Sequence, residues 1–232
     1  MINTKTAPPI AISESRISAF LSQTYLVMAF GLFITGIVAT WTSNNLNLLL
    51  RLNTNPWIAF GLFIIQIFIV AMLSAAVLKL SPLLAALLYV LYAGLTGLTL
   101  SSIFLVYTQE SISYVFWLTA GTFFLTSLFG IVFKRDLSTS GNVLFMLLLG
   151  WTFAWFISWL FPFSNFNWLL TYLGIALFVA LTAYDAKRIK QIAQQMDSHP
   201  ARGGLVILSA LTLYLDFINL FLLMLRASRR SS

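Results

Sequence analysis

The stretch "LTLYLDFINLFLLML", residues 211–225, is apolar enough to cross a membrane, yet it carries Asp216 at its centre and Asn219 one helical turn later. A carboxyl group inside a membrane span costs at least about 2.5 kcal/mol on insertion scales, so such a residue is expected to have a function. This stretch raises two questions. One is whether the whole chain is a bundle of membrane helices, and the other is which partner the carboxyl group finds.

The composition answers the first question. Of 232 residues, 60% are hydrophobic and only 8% are charged, whereas about a quarter of the residues of a soluble domain are charged. Apolar runs near the length of about 20 residues that a membrane helix needs recur almost from end to end. The strand alternation of an outer-membrane barrel is absent, so we predict an all-α polytopic membrane protein.

Seven spans are predicted, at 19–42, 57–78, 83–107, 114–133, 142–162, 168–187 and 203–226. Short links between them predict one compact transmembrane domain over 19–226, with an N-terminal tail at 1–18 and a short basic tail at 227–232. The first apolar run is expected to be the first span and not a cleaved signal peptide, because it is too long for one.

The formal net charge of +7 does not form a nucleic-acid surface, because the basic residues follow the membrane boundaries. If the N-terminus is cytoplasmic, nine basic residues lie inside: Lys5, Arg16, Lys79, Lys134, Arg135, Lys187, Arg188, Lys190 and Arg202. Four then lie outside: Arg51, Arg226, Arg229 and Arg230. This distribution favours a cytoplasmic N-terminus. The basic "RASRR" end does not fit it, and leaves open a six-span alternative in which the last segment re-enters the membrane.

The chain has no cysteine, which excludes disulfides, thiolate metal sites and cysteine nucleophiles. Four of the six acidic residues fall in tails or loops, and the other two are Asp185 and Asp216. The midpoint between these two falls in "HPA", the break between spans six and seven, and residues equidistant from the turn of an antiparallel hairpin lie at the same depth. We therefore expect the two carboxyl groups to meet, provided that span six continues as a helix through "AKRIKQIAQQM".

Helical spacing puts polar residues on one face of each of these two spans. The stripe on span seven is Ser209, Thr212, Asp216 and Asn219, and that on span six is Thr182, Asp185 and Arg188. Two adjacent carboxylates in a low dielectric cannot both ionise cheaply, so the pair is expected to share one proton. Protonated, it can hold the two spans together, and doubly ionised, it offers oxygen ligands to a hard cation such as Ca²⁺. A structural alternative is that both aspartates only bond neighbouring helices, or that Asp185 pairs with Arg188.

Four segments of the chain are similar to the Bax inhibitor family, also called the transmembrane BAX-inhibitor-motif family. They are "SQTYLVMAFGLFITG" in the first span, "YAGLTGLTLSSIFLVY" in the third, "LTAYDAKRIK" in the sixth and "LYLDFINLFLLMLR" in the seventh. The resemblance implies a bundle in which the last helix is central, surrounded by six others, and an activity as a pH-sensitive Ca²⁺ leak.

The same resemblance assigns roles to individual residues. Asp185 and Asp216 match the paired aspartates that act as the family's pH sensor, and Arg226 matches a basic residue that ends the last helix. Gln66 stands where family members often carry an acidic residue, and an arginine that can latch the aspartates in some members has no evident counterpart in the second span.

Three functions follow as alternatives. The leading one is a proton-gated leak through which Ca²⁺ permeates, with no tightly bound cofactor and only transient Ca²⁺ contact at Asp185 and Asp216. An intramembrane aspartyl protease also pairs two aspartates, one after a tyrosine as at Tyr184, but the Gly-x-Gly-Asp and Pro-Ala-Leu motifs of those enzymes are missing, so no enzyme is expected. The third is a non-conducting protein that modulates a membrane protease or a cell-death or stress factor.

The expected location is a bacterial inner membrane, with lipid, Ca²⁺ and protons as partners and no nucleic acid. Two further features have simple interpretations. The small residues of span three, including Gly94, Gly97 and Thr99, favour helix packing over a pathway lining. His199 is predicted to be a solvated loop residue.

Overall fold

A computed structural model describes residues 14–77, 79–132, 138–160, 167–195 and 201–229. These parts of the chain form helices α1 (Glu14–Ser43), α2 (Leu46–Thr54), α3 (Pro56–Ala76), α4 (Pro82–Leu100), α5 (Gln109–Val132), α6 (Ser138–Leu160), α7 (Asn167–Gln195) and α8 (Arg202–Ser228). A 3-10 turn, Ser101–Leu105, extends α4. All of these helices except α2 contain a segment long and apolar enough to span a membrane. The predicted all-α polytopic membrane fold is confirmed.

Local sequence signals begin two of these helices where the predicted spans begin. The side chain of Asn55 accepts a hydrogen bond from the amide of Trp57 at 3.0 Å, and Pro56 occupies the first turn of α3. Ser81 caps α4 in the same way, ahead of Pro82. A short polar cap followed by proline satisfies amide groups that have no partner within the helix.

The surface of the bundle is apolar. Large hydrophobic side chains such as Phe33, Phe68 and Trp117 are 65%, 65% and 73% exposed. A soluble protein rarely exposes contiguous apolar surface on this scale, whereas a lipid environment requires it. The exposed faces of these helices are therefore the faces that contact lipid.

Helix α8 lies at the centre and is the most buried of the long helices. It packs mainly against α1, α4, α5 and α7, while α3 lies on α4 and α6 lies on α7. A few side chains extend from the two outer helices to α8, as where Val77, at the end of α3, lies beside Gly204. The bundle thus has the central last helix that the family resemblance implied, with four close neighbours and two more distant ones.

One segment differs from the sequence prediction, and a second bears on the choice between seven spans and six. The Asn-rich link after the first span contains α2, an amphipathic helix of nine residues that buries Leu49. It was not predicted, because its apolar run is short and is interrupted by asparagines. Helix α8 is unbroken over 27 residues, or about 40 Å at 1.5 Å per residue, which favours seven spans over the re-entrant alternative.

Close helix contacts depend on glycine at two positions. A Cβ on Gly130 of α5 would lie 2.1 Å from the carbonyl oxygen of Ala183 in α7. A Cβ on Gly97 of α4 would lie 2.7 Å from the side chain of Val38 in α1. The packing interpretation of span three therefore holds for Gly97, whereas Gly94 has open space around it.

Candidate functional site

The carboxyl groups of Asp185 and Asp216 meet at the interface between α7 and α8, and each is the other's side-chain partner. Asp185 is half-buried, and Asp216 is only 6% exposed. The Asp216 Oδ2 atom is buried and has no hydrogen-bond donor among the described residues. Since an ionised carboxylate can only accept hydrogen bonds, two carboxyl groups in contact are held together when a proton lies between them.

The two aspartates meet because α7 has the length that the sequence analysis required. Helix α7 continues without a break to Gln195, well past Asp185, so that the two aspartates lie level across an antiparallel hairpin. Arg188, one turn along α7, is exposed and acts electrostatically on Asp185. Asp185 therefore lies between a buried acid on one side and a solvated arginine on the other.

Three other residues of the predicted polar stripes, Thr182, Thr212 and Asn219, bond to their own helices. The Thr182 hydroxyl donates to the carbonyl of Phe178 at 2.8 Å. Thr212 and Asn219 donate to carbonyls four residues earlier in α8, at 3.1 and 2.8 Å, and Ser209 is buried. Such bonds satisfy a polar side chain inside an apolar bundle without a partner on another helix. Ser209, Thr212 and Asn219 share the α8 face of Asp216, and the bonds of Thr212 and Asn219 do not link α8 to another helix.

Contacts with α5 fix the position of Asp185. The tight contact of Gly130 with Ala183 lies two residues before it. Five residues after it, the Lys190 ammonium group donates a hydrogen bond to the carbonyl of Ile131 at 3.0 Å. A cation at the last carbonyls of a helix is favourable, because those oxygens have no partner within the helix and carry partial negative charge. Helix α7 is thus tied to α5 on both sides of the carboxyl group.

The opposite side of α8 is fixed by a buried tyrosine cluster that the sequence analysis missed. The Tyr214 hydroxyl lies 2.7 Å from the Thr35 hydroxyl of α1, and its ring packs edge to face on Tyr89 and Tyr92 of α4, with centroids 5.9 Å apart in each case. The sequence did offer a signal for this cluster, namely three tyrosines within apolar spans. A buried phenol needs a hydrogen-bond partner, so such residues are expected to meet polar groups inside the bundle. The cluster holds α8 in one rotation, with Asp216 toward α7.

A cavity of about 190 Å³ opens where α1 ends and α5 begins, lined by residues of α1, α4, α5 and α8. Phe116, Phe217 and Phe221 are among its lining residues, and the rings of the last two pack edge to face on Phe116 with centroids 5.5 and 6.2 Å away. Neither aspartate lines this cavity. Phe217, which lines the cavity, directly follows Asp216 on α8.

The structure does not bring Arg226 to the carboxyl pair. It lies ten residues beyond Asp216, about 15 Å along the helix axis, and its guanidinium group stacks 4.0 Å above the ring of Trp155. Gln66 is also remote, and its amide donates to the Thr99 hydroxyl at 3.0 Å, linking α3 to α4. His199 lies outside the described residues.

Within the described ranges, no group of three or more acidic, histidine or cysteine side chains is placed to hold a metal ion. Ca²⁺ usually takes six to eight oxygen ligands. Two aspartates alone therefore supply too few ligands for a resident Ca²⁺ site.

Comparison with known proteins shows similarity over almost the whole chain. The sequence profile of the family described as "Inhibitor of apoptosis-promoting Bax1" matches residues 17–231. The inner membrane protein YbhL of Escherichia coli (strain K12) is 44% identical over 212 residues, covering 90% of this chain and 91% of the relative. An uncharacterized protein of Borreliella burgdorferi is 38% identical, covering 89% and 90%, and one of Deinococcus radiodurans is 34% identical, covering 95% and 96%.

Proposed function

Since the chain belongs to the Bax inhibitor family of membrane proteins, we propose that it is a pH-sensitive Ca²⁺ leak gated by the Asp185–Asp216 pair. The observation that carries this proposal is the contact of two carboxyl groups between α7 and the central helix, with Asp216 buried and Asp185 half-buried. A carboxyl pair inside a membrane bundle is costly to keep, which argues for a functional role.

The gate works through repulsion. With one shared proton, the pair forms a hydrogen bond that holds α7 against α8. When that proton is lost as the pH rises, two negative charges face each other in a low dielectric, and the α7–α8 contact weakens. The doubly ionised pair also attracts a divalent cation, so the same event that loosens the helices creates a transient place for Ca²⁺.

In this proposal, the arrangement described above is the closed state of the leak. The cavity between the end of α1 and the start of α5 is lined by Phe116, Phe217 and Phe221, among other residues, and by neither aspartate. Because Phe217 and Asp216 are adjacent on α8, a small displacement of this helix moves the aromatic side chains and the carboxyl pair together. The leak opens, in this proposal, when that displacement joins the cavity to the α7–α8 interface.

The proposed location is a bacterial inner membrane, since the E. coli relative is named an inner membrane protein. The proposed orientation has the N-terminus in the cytoplasm, supported by the excess of basic residues on that side. The carboxyl pair then lies closer to the cytoplasmic end of α7 than to its outer end, and the cavity opens on the outer side.

The test is a flux measurement in liposomes loaded with a Ca²⁺-sensitive dye. The purified protein is compared with Asp185→Asn and Asp216→Asn from about pH 6 to about pH 8, a range in which one shared proton can be gained or lost. Glu110→Gln, at the exposed start of α5, is the matched control for loss of one acid. We expect a pH-dependent flux in the wild type and the control, and a flux independent of pH in both aspartate variants.

Two results decide against parts of this proposal. A pH profile that survives both substitutions removes the carboxyl pair as the sensor. Absence of Ca²⁺ flux at every pH, in a protein that is folded and inserted, rejects the leak. It favours instead a non-conducting modulator of a membrane protease or stress factor.

A further inference from the structure

A second pocket, of about 590 Å³, lies beside the cavity at the same end of the bundle. Its polar lining includes Asn53 of α2, Tyr107 after α4, Asn167 at the start of α7, and Arg226 and Arg229 at the end of α8. We call this the arginine pocket. Four separate elements converge on it, so it is formed by the tertiary structure and not by one local segment.

The charge of the arginine pocket is positive. None of the described residues that line it is acidic. At this end of the bundle, the charged residues among the described ranges are Arg51, Arg226 and Arg229 against Glu110. These arginines are the ones that conflict with a cytoplasmic N-terminus, because basic residues are usually retained on the inner side. An anionic ligand bound at this position accounts for arginines on the outer side.

The side chains of the pocket are donors arranged for an oxyanion. The Arg226 guanidinium stacks on Trp155, which places a fixed positive charge in the wall of the pocket. The Asn167 Oδ1 atom is engaged by the Ser158 hydroxyl at 2.7 Å, which orients the amide so that its NH₂ group remains to donate. Arg229 is exposed at the rim. Planar guanidinium groups bind phosphate oxygens in pairs more strongly than neutral donors do.

We propose that the arginine pocket binds an anionic phosphate group, carried either by a phospholipid headgroup or by a soluble phosphate. The wall beside the polar residues is apolar, formed by Ile103, Leu105 and Val106. The amphipathic helix α2 forms the adjacent edge, as at a boundary between headgroups and hydrocarbon. This site is about 15 Å from the carboxyl pair along α8, and its occupancy is independent of the proposed leak.

The experiment measures ligand-dependent thermal stabilisation of the purified protein in detergent. The probes are short-chain phosphatidylglycerol, inorganic phosphate and, as a neutral lipid, a diacylglycerol with the same chains. The variants are Arg229→Gln and the pair Arg226→Gln with Arg229→Gln. Arg51→Gln is the control, because it removes an exposed arginine at the same end that does not line the pocket.

We expect phosphatidylglycerol to raise the unfolding midpoint more than diacylglycerol does. Its apparent dissociation constant should rise about threefold or more in Arg229→Gln and about tenfold or more in the double variant, with no change in the control. If inorganic phosphate stabilises the protein equally and competes, the ligand is a soluble phosphate; if only the lipid does, it is a headgroup.

Equal stabilisation by phosphatidylglycerol and diacylglycerol overturns the proposal. The same conclusion follows if the wild type and Arg229→Gln bind both phosphate probes with equal affinity. Arg229 is exposed at the helix end, so this variant tests the site even if the change at Arg226 disturbs packing on Trp155.

Discussion

At the scale of single residues, α8 buries polar groups in two different ways. Tyr214 and Asp216 are only two positions apart, so they point to opposite sides of the helix. Tyr214 meets a hydroxyl group of α1, and Asp216 meets a carboxyl group of α7. The first contact needs no change in protonation and is structural, whereas the second depends on a proton and is the one proposed to switch.

The tyrosine contact can be tested by removing one oxygen atom. Thr35 already donates toward the carbonyls of Gly31 and Ala93, at 3.0 and 2.9 Å, so the Tyr214 hydroxyl is the donor in their contact. Tyr214→Phe loses that bond and is expected to lower the free energy of unfolding by about 0.5 to 1.5 kcal/mol. Thermal unfolding in detergent measures the loss. Tyr172→Phe, at a 52% exposed position of α7, is the control, and equal shifts in both variants contradict the expectation.

At the scale of helices, the contact of α5 with α7 fixes where Asp185 sits. The backbones approach closely at Gly130 and Ala183, and no side chain fits between them. The Lys190 bond to Ile131 closes the same interface nearer to the helix ends. The position of one carboxyl group of the proposed gate is therefore set by a helix that carries neither aspartate.

Gly130→Ala tests this dependence. The added methyl group meets the Ala183 carbonyl oxygen at 2.1 Å, so α5 and α7 must move apart, and overpacking of this kind costs about 1 to 3 kcal/mol. We expect a lower unfolding temperature in detergent and a shifted pH profile of Ca²⁺ flux. Gly121→Ala, on the same helix with nothing within 4 Å, should change neither. A wild-type profile and stability in Gly130→Ala would show that the interface tolerates the methyl group.

At the scale of the whole molecule, the bundle is apolar outside and holds its polar groups around the central helix. A seven-span topology places the end of α8 on the opposite side of the membrane from the start of α1. With a cytoplasmic N-terminus, Lys79 lies inside, and Thr108 and Arg229 lie outside. All three positions are exposed, so each is accessible to a water-soluble reagent.

The absence of cysteine makes this topology directly measurable. Single-cysteine variants Lys79→Cys, Thr108→Cys and Arg229→Cys are treated with a membrane-impermeant maleimide on intact spheroplasts. We expect labelling of Thr108→Cys and Arg229→Cys at once, and of Lys79→Cys only after permeabilisation. Labelling of Arg229→Cys only after permeabilisation restores the six-span alternative, and the reverse pattern at all three positions inverts the orientation.

Part of the candidate site follows from the sequence by geometry. The aspartates stand equally far from one turn, and an antiparallel hairpin brings such residues to one depth whatever else the bundle does. The sequence did not reveal that Thr212 and Asn219 bond to their own helix, or that Arg226 lies far from the pair and stacks on Trp155. Those outcomes depend on rotamers and on helices distant in the chain.

The sequence by itself determined the membrane class, the seven long apolar segments and, to within one residue, the starts of α3, α4, α7 and α8. These are local properties, since a run of about 20 apolar residues must cross the hydrocarbon as a helix, and caps such as Asn55 and Ser81 act within one turn. The tertiary structure alone decided which face of each helix turns inward. Rotation about a helix axis is set by close contacts such as Gly130 with Ala183 and Tyr214 with Thr35, and these join residues that lie 53 and 179 positions apart.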